Sequence, residues 1–147
     1  MTTQATYSRK DWETLQFAPL WTFSAVAGAD EDIDDREKEA LGKELAEAAL
    51  YKNPLVREVL FSIRENLPEV VERYSNDSRT LDRGLSQVAD ILERETTAGE
   101  ADNFKRTMVG IGIEIAKASG PALGGPVSEE EKAAIALVAG ALRVNLA

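Results

Sequence analysis

Histidine and cysteine are both absent from the 147 residues. Without them the chain can build no thiol nucleophile, disulfide, thiolate zinc site, iron-sulfur cluster or histidine-based triad. It carries no haem or nucleotide-binding signature either: Gly110 to Glu114 reads Gly-Ile-Gly-Ile-Glu, which lacks the third glycine and the preceding strand of a dinucleotide fingerprint. Basic residues are in the minority, 17 against 26 acids, giving a formal charge of -9 and a pI near 4.6. That balance opposes binding to nucleic acid or an anionic membrane and favours cations or basic protein surfaces as partners. The longest apolar run, Ala133 to Leu142, is about half of the roughly 20 residues needed to cross a bilayer. Met1 to Asp11 has no apolar stretch of signal-peptide length, so the chain reads as cytoplasmic, in keeping with its lack of cysteine.

What the chain does have is apolar residues at helical spacing nearly everywhere, with no stretch alternating as a strand would. The expected fold is all-α, a compact bundle of about seven helices. Residues 1–10 read as an N-terminal tail and 11–147 as a single domain, since no linker or composition shift divides them. The first helix is expected over 11–29, kinked or split at Pro19, and the second over 35–49, with Leu41, Leu45 and Ala48 on one face. Asn53 and Pro54 read as a cap and first position of a third helix with the stripe Val56, Val59, Leu60 and Ile63. Pro68 opens a short helix through Tyr74, and residues 75–78 form a polar turn. Leu81, Leu85, Val88 and Leu92 mark the next helix, and residues 96–99 break it. A helix over 100–118 carries Phe104, Met108, Ile111 and Ile115. After the glycine- and proline-rich stretch 120–126, the last helix follows Ser128 with Ile135, Val138 and Leu142.

Two parts of the chain echo each other. Val26 to Asp30 followed by Ile33, Asp34, Glu37 and Leu41 aligns with Ile115 to Ser119 followed by Val127, Ser128, Glu131 and Ile135. Each part is a helix, an irregular loop and a capped helix, with an apolar residue, a capping residue, a Glu three later and an apolar residue four beyond. The pattern implies two helix-loop-helix units packed about a pseudo-twofold axis.

The chemically loaded stretch is Asp30 to Glu39, with seven acids and two bases. Asp30, Asp32 and Asp34 at alternate loop positions, with Glu37 in the following helical turn, form an all-oxygen donor set of the kind hard cations such as Ca²⁺ or Mg²⁺ take. Only the second half of an EF-hand loop is mimicked, by Ile33, Asp34 and Glu37; Val26, which has no side-chain oxygen, would stand at its first position. The same residues also have a purely structural reading, in which Asp34 and Glu37 make a capping box and the acids complement the helix dipole. Ser128 and Glu131 repeat that box next to a loop, 120–127, that holds no acid, and there the residues point to a cap alone.

The stretch from Pro19 through Leu45, with Val26 to Asp30 and Ile33 to Glu37, resembles the tellurite-resistance TerB-like family, and Ser128 to Ile135 resembles that family's second half. The resemblance implies a compact all-helical fold of two helix-loop-helix halves whose acids bind divalent cations. By position it implicates Asp30, Asp34 and Glu37 in the first half and Glu131 in the second. Glu31 stands where the family has Gly, and Ser119 with Gly120 replaces its second Asp-Gly.

Two functional classes follow. One is a non-enzymatic helical module of a stress or envelope-response system that binds a divalent cation through the acidic loop. The other is an enzyme using paired carboxylates, alone or with Mg²⁺, on a small anionic or carbonyl substrate. The acids crowd into one loop instead of converging from several elements, which favours the binding module. Glu114, the one acid between Met108 and Ala116, is expected at the edge of its apolar stripe, reaching solvent or an Arg. Trp12, Phe17, Trp21 and Phe23 are expected in the core.

Overall fold

A computed structural model describes residues 6–27, 35–119 and 129–145. Among these the chain forms seven α-helices and no strand: α1 (Arg9–Ala27), α2 (Asp35–Ala46), α3 (Pro54–Glu65), α4 (Leu67–Ser75), α5 (Leu81–Glu95), α6 (Ala98–Ser119) and α7 (Glu129–Ala141). A 3-10 turn, Ala48–Leu50, follows α2. The stripes read from the sequence face inward: Val59, Leu60, Ile63, Leu85, Val88, Leu92, Phe104, Met108 and Ile115 are all fully buried.

α1 is the hub. Thirteen of its nineteen residues are buried, so it needs neighbours around most of its circumference. It packs against α3, α4, α5, α6 and α7. Trp12, Phe17 and Trp21 are core residues and Phe23 is half-buried, as expected. Phe17 and Trp21 meet edge to face with centroids 5.5 Å apart.

Pro19 does not split this helix, which runs unbroken to either side of it. The missing donor costs about 3 kcal/mol, and the dense packing of Phe17, Ala18, Leu20 and Trp21 holds the helix regardless. α1 also starts two residues earlier than expected. Tyr7, within the stretch read as a tail, is buried with its ring 6.0 Å from Trp12.

The α1–α2 and α6–α7 units interlock. α1 lies on α6, α2 crosses to pack on α6, and α7 crosses to pack on α1. The exchange is only partly symmetric, since α7 also packs on α6 whereas α2 makes little contact with α1. Gly112 sits at the α1–α6 contact, where a Cβ would come within 3.1 Å of Thr22 Cγ2 and 3.3 Å of Val26 Cγ2. Glycine there is a close-approach residue between helices.

Helix ends follow local chemistry. Asn53 caps α3, its Oδ1 accepting from the backbone N–H of Leu55 at 2.9 Å and of Val56 at 3.1 Å. The break before α6 is shorter than expected, because Thr97 already accepts from the Glu100 N–H at 3.2 Å and begins the helix at Ala98. α2 ends at Ala46 instead of Ala49, its last residues tightening into the 3-10 turn. α7 closes with Arg143 in the left-handed region at φ 64°. There the Val144 N–H bonds to Ala139 O at 2.8 Å and the Arg143 N–H to Gly140 O at 3.1 Å, a Schellman ending. Arg143 keeps this backbone without being glycine because its guanidinium reaches Asp90 at 2.7 Å and Glu93 at 3.0 Å on α5.

Candidate functional site

Asp30, Asp32 and Asp34 lie outside the described residues, and so do the expected caps Asp34 and Ser128. Glu37 is in the first turn of α2, and its side chain also lies outside the described set. Glu131 is described and is buried in the first turn of α7, with 1% exposure. Glu114 is exposed beside Lys117 at 3.9 Å, at the edge of its stripe as expected. Among the described residues no three acidic side chains converge as metal ligands would.

The most organised polar cluster is one the sequence reading passed over as a turn. Between α4 and α5 the chain reverses through residues 76–80, with the Asn76 N–H returned to the carbonyls of Glu72 and Arg73. Asp77 Oδ1 accepts the Arg79 backbone N–H at 2.9 Å, an Asx-type turn. The same carboxylate receives Arg79 Nε at 3.0 Å and Nη2 at 2.7 Å, so the guanidinium is gripped as a fork. Arg79 Nη1 reaches Thr14 Oγ1 on α1 at 3.0 Å and Gln87 Oε1 on α5 at 2.6 Å. Its plane lies 4.9 Å from the Trp21 ring centroid. Hydrogen bonding from Arg79 holds the Asp77 carboxyl below the usual carboxylate range.

This loop closes one end of an open cleft of about 480 Å³ between α1 and α5. Lys10 and Glu13 of α1, Ser78 and Arg79 of the loop, and Arg83 of α5 line it. Glu13 is turned to Arg73, 3.2 Å away. A second cleft of about 260 Å³ shares Lys10 and Gln87 and continues along α1 and α5 past Asp90 and Arg94. Only the Asp-x-Arg spacing of residues 77–79 hints at the cluster in the sequence; Thr14, Trp21 and Gln87 come to it from elsewhere.

A separate polar set lies beneath the N-terminal segment. Tyr7 Oη, Trp12 Nε1 and Glu58 Oε2 are buried atoms with no hydrogen-bond partner among the described residues. Burial, then the charges of Glu95, Glu100 and Glu58, pushes the Tyr7 hydroxyl up to about 12. Burial also raises Glu58, against the lowering influence of Arg57.

No family model and no solved structure gives a significant match to the chain. A protein of the archaeon Methanothermobacter thermautotrophicus, described as "Uncharacterized protein ORF11'", is 30% identical over 141 residues. The match spans 90% of this chain and 86% of the archaeal protein. No helix among the described residues is long and apolar enough to cross a membrane.

Proposed function

The chain belongs to the family of the Methanothermobacter protein ORF11', and we propose, from its own residues, that it is a non-enzymatic, TerB-like helical module that binds a divalent cation. The observation that carries this reading is the donor set: seven acids within residues 30–39 lead into and open α2. Carboxylate oxygens without nitrogen or sulfur suit a hard ion, Ca²⁺ or Mg²⁺, better than a soft one. Asp30, Asp32, Asp34 and Glu37 would hold the ion, with Glu131 as the counterpart in the second unit. The ion would neutralise like charges held close together and so tie the start of α2 to the loop before it. The reciprocal packing of the α1–α2 and α6–α7 units supports the TerB-like reading.

Titration of the full chain with Ca²⁺, Mg²⁺ and Mn²⁺ by calorimetry, at matched ionic strength, tests the proposal. The parent should give binding heats and a melting temperature that rises with metal concentration, and D30N/D34N should lose both. Equal and negligible heats for the two proteins at millimolar metal would overturn it and leave the acids as a capping device.

A further inference from the structure

We propose that the cleft between α1 and α5 binds the phosphate group of a small phosphate monoester. The charge census of its lining is the first ground. The chain as a whole carries a formal charge of -9, yet three cations, Lys10, Arg79 and Arg83, face this one concavity. Both acids in the lining are paired, Glu13 with Arg73 at 3.2 Å and Asp77 with Arg79 at 2.7 Å, so the charge of Arg79 is matched and the uncompensated cations are Lys10 and Arg83. Lys10 and Arg83 make no ion pair among the described residues. Lys10 and Arg83 therefore leave the lining with a net positive charge in an acidic chain, which favours an anion there.

Rigidity is the second ground. Arg79 is not a free surface arginine: the Asp77 fork, Thr14, Gln87 and the Trp21 ring fix its plane. A cation held this way loses little side-chain freedom when a ligand arrives. The flanking cations supply the mobile donors, and Ser78 also lines the space. Two uncompensated cations flanking the anchored Arg79 suit a dianion with several oxygens better than a carboxylate, which one arginine fork can saturate.

Size and continuation are the third ground. About 480 Å³ lies within the range of small-molecule sites. The adjoining 260 Å³ groove shares Lys10 and Gln87 and is lined by groups that can bond hydroxyls, among them Thr14, Asp90 and Arg94. A phosphate in the larger cleft leaves its organic part room along that groove. Lys10 lies near the N-terminal end of α1, about 25 Å of helix away from the end that leads into the acidic run, so this site and the proposed cation site are independent.

The test uses the full chain with EDTA present and ionic strength held constant with NaCl. Inorganic phosphate, glycerol 3-phosphate and acetate are titrated by calorimetry and by thermal melts. Glycerol 3-phosphate should bind more tightly than inorganic phosphate, both should raise the melting temperature, and acetate should do no more than NaCl. In K10Q/R83Q phosphate binding should weaken roughly tenfold or more, while R106Q, which removes an exposed cation on α6, should bind as the parent does. Lys10 and Arg83 are exposed, so the double variant should fold normally, and its ligand-free melt verifies that. R79K, which keeps the charge but loses the fork, should weaken binding as a second check. The proposal is overturned if no phosphate probe binds, if K10Q/R83Q binds as well as the parent, or if acetate matches phosphate.

Discussion

The indole of Trp21 occupies the space that a side chain at Gly84 would need: a Cβ there would lie 2.5 Å from Cε2 and 2.6 Å from Cη2. The two residues join α1 to α5 at the base of the Arg79 cluster, and the indole has little freedom to move. Phe17 meets it edge to face, Tyr74 packs at 6.2 Å, and the Arg79 guanidinium lies 4.9 Å from its ring centroid. Alanine normally stabilises a helix interior by about 1 kcal/mol relative to glycine. Here overpacking of about 1–3 kcal/mol opposes that gain. G84A should therefore lower stability in urea melts, whereas G110A, with open space at its Cβ position, should raise it by roughly 0.5–1 kcal/mol. Equal effects of the two substitutions would show that Trp21 yields easily.

Asn53 should be the most costly cap among the described helices to remove. It satisfies two N–H groups of α3 and also donates to Asn103 Oδ1 at 3.0 Å on α6. N53A should cost about 1 kcal/mol, and N53D, which keeps the accepting oxygen, substantially less. Chemical denaturation of the two variants checks the difference.

Asp77 links stability to acid. Its carboxyl is held below its ordinary value, chiefly by hydrogen bonding from Arg79. A depressed folded value means the ionised form is favoured by folding. The contribution is present above the unfolded value and is lost as pH falls through the folded one. D77N should be less stable than the parent at neutral pH by about 2 kcal/mol, the order of a hydrogen bond to a charged group. The gap should narrow as pH drops below the carboxylate range. Melts from pH 7 down to pH 3 report it, and a gap independent of pH would refute the assignment.

Glu58 should behave in the opposite sense. Burial raises its pKa, and one of its oxygens is sealed from solvent without a partner among the described residues. Its contribution is fully present below the unfolded value and is lost as pH rises through the folded one. E58Q, neutral at every pH, should escape that loss. Relative to the parent it should gain melting temperature between pH 4 and pH 7, and parallel profiles would place the charged form in water.

Most of the helical plan was legible because its causes are local. A stripe such as Phe104, Met108, Ile111 and Ile115 declares a buried face through 3.6-residue periodicity. Asn53 followed by Pro54 declares a helix start because the side chain and the backbone it caps are two and three residues apart. Helix ends set by longer reach were misjudged: α2 stops at Ala46 and not Ala49, and α1 begins at Arg9, after the buried Tyr7. The acidic run from Asp30 to Glu37 was conspicuous for its composition, which names a donor chemistry without bringing its members together.

The Arg79 cluster was invisible for the complementary reason. Thr14 and Arg79 are 65 positions apart and Gln87 stands 8 beyond Arg79, so no window along the chain contains the group. The sequence alone determined which segments are helical, which faces are apolar and that the chain is acidic, since each depends on near neighbours and summed composition. Only the tertiary structure decided that three of its few cations face one cleft, and that a tryptophan of α1 rests on a glycine of α5. Those relations exist only once apolar burial has drawn distant helices against one another.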